Sequence, residues 1–203
     1  MPPPGWPVRD AEGARGTTVG GMELLRTRRL LLRHWEGSDV LAFYDLYSRE
    51  DVMRWLGPHP RRALASQGEA RDRLRGWQAY GQGLDPPLGL WAMIPTGVGT
   101  REPAPVGTTL LLPLADASGP SGLIEVGWHL HPQHQGQGLA TEAAEAILTA
   151  AAQAGIDQVV ALTDPDNVRS QAVAARLGMR DEGLTSRWFG LTARQYRKST
   201  SGT

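Results

Sequence analysis

The sequence lacks cysteine entirely and carries no excess of either charge. Without cysteine the chain has no disulfide framework, no thiolate nucleophile and no thiolate metal ligand. Its 21 Lys and Arg residues balance its 21 Asp and Glu residues, so no global field draws it to nucleic acid or to an anionic membrane. We therefore expect neither nucleic acid nor a membrane surface as a partner.

Long apolar runs are missing as well. No stretch is long enough to span a bilayer, and the N-terminal segment 1–7 lacks the apolar run of a signal peptide, so we expect a cytoplasmic protein. A chain of 203 residues is long enough for one domain with a substantial core. Residues 1–21 are rich in proline, glycine and charge and are predicted to be a disordered extension. A single domain is predicted over 22–198, followed by a tail over 199–203.

Hydrophobic periodicity predicts an α/β (α+β) chain in which helices come early and strands accumulate later, which indicates a mixed sheet. The predicted strands are a first strand or hairpin over 22–25 and 29–33, then 88–94, 106–112, 124–130, 159–163, 179–183 and 187–196. The predicted helices start at a Ser38 cap, at Glu50, at the capping-box pattern Ser66–Glu69, at Gly138 and at Val168.

The most informative stretch, residues 125–144, reads as a strand, a glycine-bearing loop and a helix. Gly136 and Gly138 allow the backbone to approach a ligand closely, and the N–H groups at the helix start form an anion site without any basic side chain. Leu139 and Ala140 exclude a Walker loop, and the missing third glycine argues against a dinucleotide fingerprint. Two interpretations remain: the loop binds the pyrophosphate of another carrier, or it is a tight turn without a ligand.

The pattern Gln133-x-x-Gly136-x-Gly138-x-Ala140 resembles the Q/R-x-x-G-x-G/A signature of the GNAT superfamily of acyl-CoA-dependent N-acyltransferases. Its continuation through Ala143 is similar to the RimJ/RimL branch, which includes ribosomal-protein N-terminal acetyltransferases. Two further segments carry the resemblance: 30–39 is similar to the opening strand and first helix of that branch, and 167–179 to its second CoA-side motif. The resemblance covers residues 24–197.

The resemblance implies a GNAT fold, with a mixed, mostly antiparallel central sheet that is flanked by helices and splayed at its fourth strand. It implies acetyl-CoA as a co-substrate and no metal. Backbone groups near 128–130 would pair with the pantetheine amides, and the amides of Gln135 to Ala140 would hold the pyrophosphate. A bulge would be tolerated at Gly127, although a strand glycine can also serve packing alone. The implied cofactor-binding residues are Trp128, His129, Leu130, Gln133, Gln135, Gly136, Gln137, Gly138, Leu139, Ala140, Thr141, Asn167 and Ser170.

The catalytic groups are less sharply indicated. Glu125, on the strand that leads to the acyl site, is the candidate general base, and a salt-bridged strand carboxylate is its alternative. His129 and His131 are further candidates for the base. The spacing of the histidines in 131–134 fits no zinc site.

Asn167 fits a helix N-cap, an amide contact to the CoA arm, or both. Ser170 is a solvated residue, a second hydrogen-bond partner, or the proton donor to the leaving thiolate. The tyrosine acid of many family members falls at Ala174, so Ser170, water or another residue would have to supply that proton.

The predicted reaction is acetyl transfer to a primary amine, either a protein N-terminal α-amine or a small-molecule amine, by direct attack in a ternary complex. The alternatives are a non-catalytic CoA-binding sensor or interaction module, and a transferase that uses a longer acyl-CoA. A homodimer is compatible with the sequence. The acceptor site would draw on segment 50–62, the second helix and segment 186–195, with the candidate lining residues Trp55, His59, Trp77, Trp188 and Tyr196.

Overall fold

A computed structural model describes residues 24–96, 104–188 and 190–200, and the predicted extension 1–21 lies outside these ranges. The strands are β1 Leu24–Arg26, β2 Leu30–His34, β3 Gly89–Pro95, β4 Gly107–Asp116, β5 Gly119–Leu130, β6 Gln158–Thr163, β7 Arg180–Thr185 and β8 Ala193–Ser199. The helices are α1 Val40–Tyr47, α2 Glu50–Met53, α3 Gln67–Gln82, α4 Leu139–Gln153 and α5 Val168–Arg176.

The strands form one eight-stranded sheet in the order β1-β2-β3-β4-β5-β6-β8-β7. Every neighbouring pair is antiparallel except β5 with β6, which run parallel. The mixed, mostly antiparallel sheet predicted from the sequence is therefore confirmed. Among the described residues, no helix combines the length and the hydropathy needed to cross a bilayer.

Helices cover both faces of the sheet, which is why β3 and β4 are buried on both sides and read as nearly continuous apolar runs. Leu111 lies in the core that α4 and α5 cover, whereas Leu110 and Leu112 lie in the core that α1 and α3 cover. The β5 side chains that share a face with Leu110 and Leu112 therefore point toward the α1–α3 side.

The parallel pair β5–β6 separates soon after it forms. Pairing joins Ile124 to Val159 and Glu125 to Val160, and β5 then continues to Leu130 with β4 as its paired neighbour. This is the splay predicted for the fourth strand; the strand becomes β5 here because the opening hairpin contributes two strands.

Of the two interpretations of Gly127, a bulge and close packing, the structure shows close packing. Gly127 pairs in regular register with Leu110, and the irregularity of this ladder lies between Pro113 and Ala115. A Cβ on Gly127 would lie 3.1 Å from the Leu110 side chain, so this glycine serves close packing.

Local chemistry explains most helix starts. Ser66 caps α3 by accepting the Glu69 N–H at 3.2 Å, as predicted. Ser38 does not cap α1, because a 3₁₀ turn precedes that helix and Glu36 and Asp39 cap the turn reciprocally.

Several strand boundaries also differ from the sequence prediction, and the largest shift is the start of β8, at Ala193 rather than at residue 187. β5 begins five residues before the predicted Ile124, at Gly119, since pairing with β4 overrides the low strand propensity of Gly119 and Pro120. Strand β8 continues through Ser199, where the sequence predicts a tail.

Candidate functional site

Two depressions meet where β5 separates from β6. The long groove, about 1020 Å³, runs past the starts of α4 and α5. The small cavity, about 170 Å³, lies behind it on the α1–α3 side of the sheet. The residues that line both are Trp55, Leu56, Trp128, His129, Asn167 and Ser170. We call the place where these six residues meet the junction.

The start of α4 forms one end of the long groove. Its N-cap, Gly138, adopts the left-handed conformation with φ 77°, and no side chain in the described part of the chain caps the helix. The amides of Leu139, Ala140 and Thr141 are thus left facing outward, whereas the Glu142 N–H closes on the Gly138 carbonyl at 3.0 Å. This arrangement provides the predicted anion site with backbone donors alone.

A brace from the opening hairpin holds the glycine loop. Arg29 Nη1 donates to the Gln137 carbonyl at 2.8 Å, and its Nε donates to the Glu142 carboxylate at 2.7 Å. Thr27 Oγ1 bonds the same carboxylate at 2.6 Å. In a trans peptide the carbonyl and the next N–H point in opposite directions, so fixing the Gln137 carbonyl directs the Gly138 N–H away from Arg29.

The side chain of Gln135 ties the end of β5 to α5 rather than remaining free for a ligand. Its Nε2 donates to the Leu130 carbonyl at 3.0 Å, and its Oε1 accepts Arg169 Nη1 at 2.8 Å. Its backbone N–H is used within the turn, where it donates to the Pro132 carbonyl at 3.2 Å. The expectation that the Gln135 amide holds pyrophosphate is therefore corrected, since that N–H already has an acceptor.

Two other predicted cofactor residues lie beside the groove rather than in its wall. Gln137 Nε2 donates to the Gln133 carbonyl at 3.3 Å, so the two glutamines brace each other outside the groove. The remaining predicted residues line the groove: Trp128, His129, Leu130, Gln135, Gly136, Gly138, Leu139, Ala140, Thr141, Asn167 and Ser170.

The β5 backbone divides its hydrogen-bonding groups between two sides. His131 N–H donates to the Val106 carbonyl of the β4 side at 2.8 Å, which sets the alternation along the ladder. By that alternation His129 turns its backbone groups toward β4, whereas Trp128 and Leu130 turn theirs toward the gap. The gap-facing strand groups expected to pair with pantetheine are those of Trp128 and Leu130, and His129 contributes its ring instead.

The start of α5 lies across the gap from β5. Asn167 Oδ1 caps the helix by accepting the Ser170 N–H at 3.1 Å, which confirms the N-cap interpretation. Ser170 Oγ accepts Trp128 Nε1 at 3.1 Å. Because the hydroxyl accepts this bond, its own hydrogen can be donated to a group in the junction.

The groove also fits a phosphate-rich ligand in its side chains. Arg54, Arg169 and Arg176 line it, and guanidinium groups pair well with phosphate oxygens. Thr141 Oγ1 is buried in the groove wall without a hydrogen-bond partner in the described part of the chain, so one polar group there is left for a ligand.

Glu125 lies in the wall of the small cavity, on the same sheet face as Leu112, its partner in β4. Burial raises the pKa of its carboxyl to about 8, because the charged form loses its hydration. The alternative interpretation, a salt-bridged strand carboxylate, does not hold, since no ion pair involves Glu125 in the described part of the chain. A half-buried carboxyl of raised pKa in a cleft is a typical acid–base group.

His129 ends a chain of hydrogen bonds that runs in from the core. Trp35 Nε1 donates to Thr108 Oγ1 at 3.1 Å. Thr108 and Tyr47 share a bond of 2.6 Å, and Tyr47 Oη lies 3.0 Å from His129 Nδ1. If each member donates to the next, all three hydrogens have acceptors within the chain.

That direction fixes the tautomer of His129. Nδ1 becomes the acceptor, so the neutral ring carries its hydrogen on Nε2. Burial lowers the pKa of His129 to about 4, which keeps the ring neutral near pH 7. In this form the ring offers a donor at the junction and is not poised to take up a proton.

An ion pair closes the opposite wall of the small cavity. Arg61 Nη1 lies 2.5 Å from Asp164 Oδ2, and the two side chains are only 11% and 16% exposed. Arg61 also donates to the Arg54 carbonyl at 2.6 Å and the Gly57 carbonyl at 3.0 Å. The segment after α2 is thereby fastened to the loop that follows β6.

The other candidates divide between the cavity and the core. Trp55 and Trp188 line the cavity, whereas Trp77 and Tyr196 are packed in the core and His59 lies outside the cavity wall. His131 is buried outside both depressions, with its Nε2 3.2 Å from Asp45 Oδ2, so it has a structural role.

Ala174, the position of the family's tyrosine acid, is fully buried in the α4–α5 core. A side chain at this position therefore faces the core and not the groove.

Three contributors were missed by sequence reasoning. In the sequence Tyr47 falls on the apolar face of its helix and is predicted to be a core residue. Neither Arg29 nor Asp164 is predicted to belong to the site. Each acts through a partner far along the chain, with Tyr47 and His129 82 residues apart. No spacing signal connects such pairs in one sequence.

A family model described as an acetyltransferase (GNAT) domain matches residues 29–180, more than half of the chain. The "Uncharacterized N-acetyltransferase YnaD" of Bacillus subtilis is 38% identical over 61 residues, which are 30% of this chain and 36% of that protein. The chain thus spans about a third of the length of this curated relative.

Two solved structures are similar over nearly the whole fold. An acetyltransferase of the GNAT family from Bacillus anthracis superposes with a TM-score of 0.69 at 21% identity, covering 88% of this chain and 99% of that chain. The ribosomal L7/L12 α-N-protein acetyltransferase RimL, in complex with coenzyme A, superposes with a TM-score of 0.69 at 22% identity, covering 89% and 100%. At these identities the likeness establishes the fold.

Proposed function

Because the chain belongs to the GNAT acetyltransferase family, we propose that it is an N-acetyltransferase that moves an acetyl group from acetyl-CoA to a primary amine. The long groove takes the CoA arm, and the small cavity takes the amine. The observation that carries the proposal is that the two depressions meet at the junction, with a titratable carboxyl in the cavity wall and a hydroxyl at the meeting point.

In the proposed complex, the amides at the start of α4 and the groove arginines hold the phosphates. The gap-facing backbone groups of Trp128 and the N–H of Leu130 pair with the pantetheine amides, as an added strand would, since the Leu130 carbonyl already accepts Gln135 Nε2. Asn167 keeps its capping bond through Oδ1 and uses its Nδ2 hydrogens on the CoA arm. The thioester is thereby directed into the junction, and catalysis gains chiefly from orientation.

The transfer is a direct displacement. The neutral amine nitrogen forms a bond to the thioester carbonyl carbon, and the carbon–sulfur bond then breaks. The proton that the attacking nitrogen loses passes to Glu125, which later returns it to solvent. The thiolate takes a proton through the Ser170 hydroxyl, which is reprotonated by water in the same relay. At about 3.3 Å per residue, Glu125 and Trp128 lie about 10 Å apart along β5, so a bridging water connects the carboxyl to the amine.

The raised pKa of Glu125 suits this role. A terminal α-amine has a pKa of about 7.7–8.0. That value is for the protonated amine, which is the form of the attacking nitrogen once it has bonded to the carbonyl carbon. A carboxyl with a pKa of about 8 can take up a proton from such a nitrogen without a large free-energy cost. His129, held neutral with its hydrogen on Nε2, serves as a donor at the junction rather than as the base.

The acceptor is either a protein N-terminus or a small amine. RimL, whose fold this chain shares, is by its name an α-N-protein acetyltransferase of ribosomal L7/L12. That likeness supports testing N-terminal peptides first, because a fold alone does not fix a substrate.

A thiol-release assay with acetyl-CoA tests the proposal. The panel should contain N-terminal peptides and small primary amines, and mass spectrometry should identify the acetylated product. We expect steady turnover with at least one amine. Tight CoA binding without turnover of any amine would instead indicate a CoA-binding sensor, and faster turnover with propionyl- or succinyl-CoA would indicate a longer acyl donor.

A further inference from the structure

The small cavity offers little to a second charged group on its substrate. Much of its wall is apolar, formed by Trp55, Leu56, Leu110, Leu162 and Trp188 among others. In the described part of the chain its ionisable side chains are those of Arg61, Glu125, His129 and Asp164. Whether a substrate may carry a carboxylate depends on whether any of these four can pair with it.

Arg61 is the permanent cation among them, and three of its five N–H donors, those on Nε and Nη1, are already engaged. It pairs with Asp164 at 2.5 Å and donates to two backbone carbonyls of the preceding segment. Burial alone would raise the pKa of Asp164, but the hydrogen bonds from Arg61 and the Asp166 N–H, together with the nearby positive charge, outweigh it and lower that pKa. Asp164 therefore stays ionised and neutralises the charge of Arg61, so an incoming carboxylate would have to share this cation with a mostly buried anion.

The other two groups cannot replace that cation. His129 is neutral near pH 7, because its ring is buried and bonded through Nδ1 to Tyr47. Glu125 is neutral when protonated and repels an anion when it becomes the base. A carboxylate beside the reacting amine would thus lose its hydration without gaining a counter-ion.

We infer that the small cavity selects primary amines whose neighbouring carbon bears an uncharged group, such as the amide of a peptide N-terminus or a plain alkyl or aryl carbon, and rejects free α-amino acids. The paired Arg61–Asp164 wall and the single free carboxyl Glu125 carry this inference. It rests on the proposed function, since it assigns the small cavity to the acceptor amine. A cavity of about 170 Å³ suits one residue-sized group.

Matched substrate pairs test the inference. Alanine against alaninamide, and leucine against leucinamide, differ only in the group beside the amine. Values of kcat/KM should be measured by thiol release at saturating acetyl-CoA and corrected to the neutral amine, because the two amines of a pair have different pKa values. We expect each amide to be preferred at least 100-fold after this correction.

The outcomes separate the inference from the proposed function. Acetylation of the amino acid within about threefold of its amide overturns the inference and leaves the acetyltransferase activity intact. Failure of every amine in both pairs and in the peptide panel overturns the proposed function, and the inference falls with it.

The variant Asp164→Asn tests the role of the ion pair directly. Asparagine keeps an oxygen for the Asp166 N–H, which Asp164 Oδ1 accepts at 3.0 Å, but it removes the charge that neutralises Arg61. We expect the ratio of kcat/KM for alanine to that for alaninamide to rise at least tenfold. The control is Asp72→Asn, which removes the same charge from an exposed pair with Arg75, outside the cavity wall.

An unchanged ratio in a folded Asp164→Asn protein would overturn the assignment to Arg61. Thermal unfolding establishes whether the variant is folded. If it is not, the matched substrate pairs on the unmodified chain decide the inference alone.

Discussion

The long groove and the small cavity share a boundary but are built on different principles. The end of the groove at β5 and α4 is made mainly of backbone: the left-handed Gly138, the free amides at the start of α4 and the gap-facing groups of β5, all within one short stretch of sequence. The cavity is made of side chains that come from segments as far apart as Trp55 and Ala193. A backbone site depends on turn geometry, whereas a side-chain site depends on which distant residues the fold brings together.

The two sites also differ in charge. The groove combines backbone donors with arginines and suits an anion. Among the described residues that line the cavity, the permanent cation Arg61 is paired with Asp164, and the Glu125 carboxyl has no ion-pair partner. If the groove binds acetyl-CoA and the small cavity binds the amine, a variant in one site should change the kinetic constants for the substrate of that site and leave those for the other substrate unchanged.

The largest effect should come from the cavity. Glu125→Gln removes the proposed base with little change in shape, and general-base loss typically costs about 10²–10⁴-fold. We expect kcat/KM for the amine to fall by about that factor, with the KM for acetyl-CoA unchanged. Glu145→Gln, an exposed carboxyl on α4, is the control.

The pH profile sharpens this prediction. Since burial raises the pKa of Glu125 to about 8, the carboxyl is protonated and inactive as a base below that pH, and the rate should rise as the pH passes through it. An acceptor with a low pKa, such as trifluoroethylamine, is already neutral at about pH 7 and above. It therefore removes the substrate's own titration from the profile. A rise through pH 8 that persists in Glu125→Gln would show that another group is the base.

The difference between the two sites also explains how far the sequence could be read. The Gly136–Gly138 spacing and the Asn167 cap are local signals, so the glycine loop and the two helix starts could be predicted from the residues, whereas the splayed strand was implied by the resemblance to the GNAT family. The Ser170 hydroxyl and the Glu125 carboxyl were found because they lie close to those signals in sequence.

The remainder depends on long-range contacts that no single sequence displays. Tyr47 shares a helix face with core residues, and only the sheet register reveals that its hydroxyl meets His129. Arg61 resembles a solvated cation in the sequence, yet Asp164 lies 103 residues away and pairs with it. Side-chain roles of this kind are fixed by packing, which pattern and propensity do not encode.

A smaller effect is expected at the junction, where the two sites meet. His129→Gln keeps an N–H near the position of Nε2, whereas His129→Asn places its amide near Nδ1. If His129 acts as a donor, we expect Asn to cost about tenfold more in kcat than Gln, about the value of one hydrogen bond. ¹⁵N NMR of the unmodified protein should show the Nε2–H tautomer, and Tyr47→Phe should disturb it.

Equal losses in the Gln and Asn variants would contradict the donor role. They would favour a base at this position, because neither amide side chain can accept a proton from the amine.

The smallest effect should come from the groove, and a pair of matched glycines isolates it. Gly138 is the N-cap of α4, with φ 77°, and Gly155 follows the end of that helix, with φ 75°. Alanine therefore strains the backbone to a similar degree at either position. A left-handed L-residue costs about 1–2 kcal/mol, so both variants should lose similar thermal stability. Relief of that strain at Gly138 rotates the amides that face the groove, whereas at Gly155 it moves only the end of the helix. We therefore expect Gly138→Ala alone to raise the KM for acetyl-CoA, by about tenfold, with the KM for the amine unchanged. An equal rise in Gly155→Ala would mean that the groove's hold on the cofactor reflects global stability, and the contrast between a backbone site and a side-chain site would then fail.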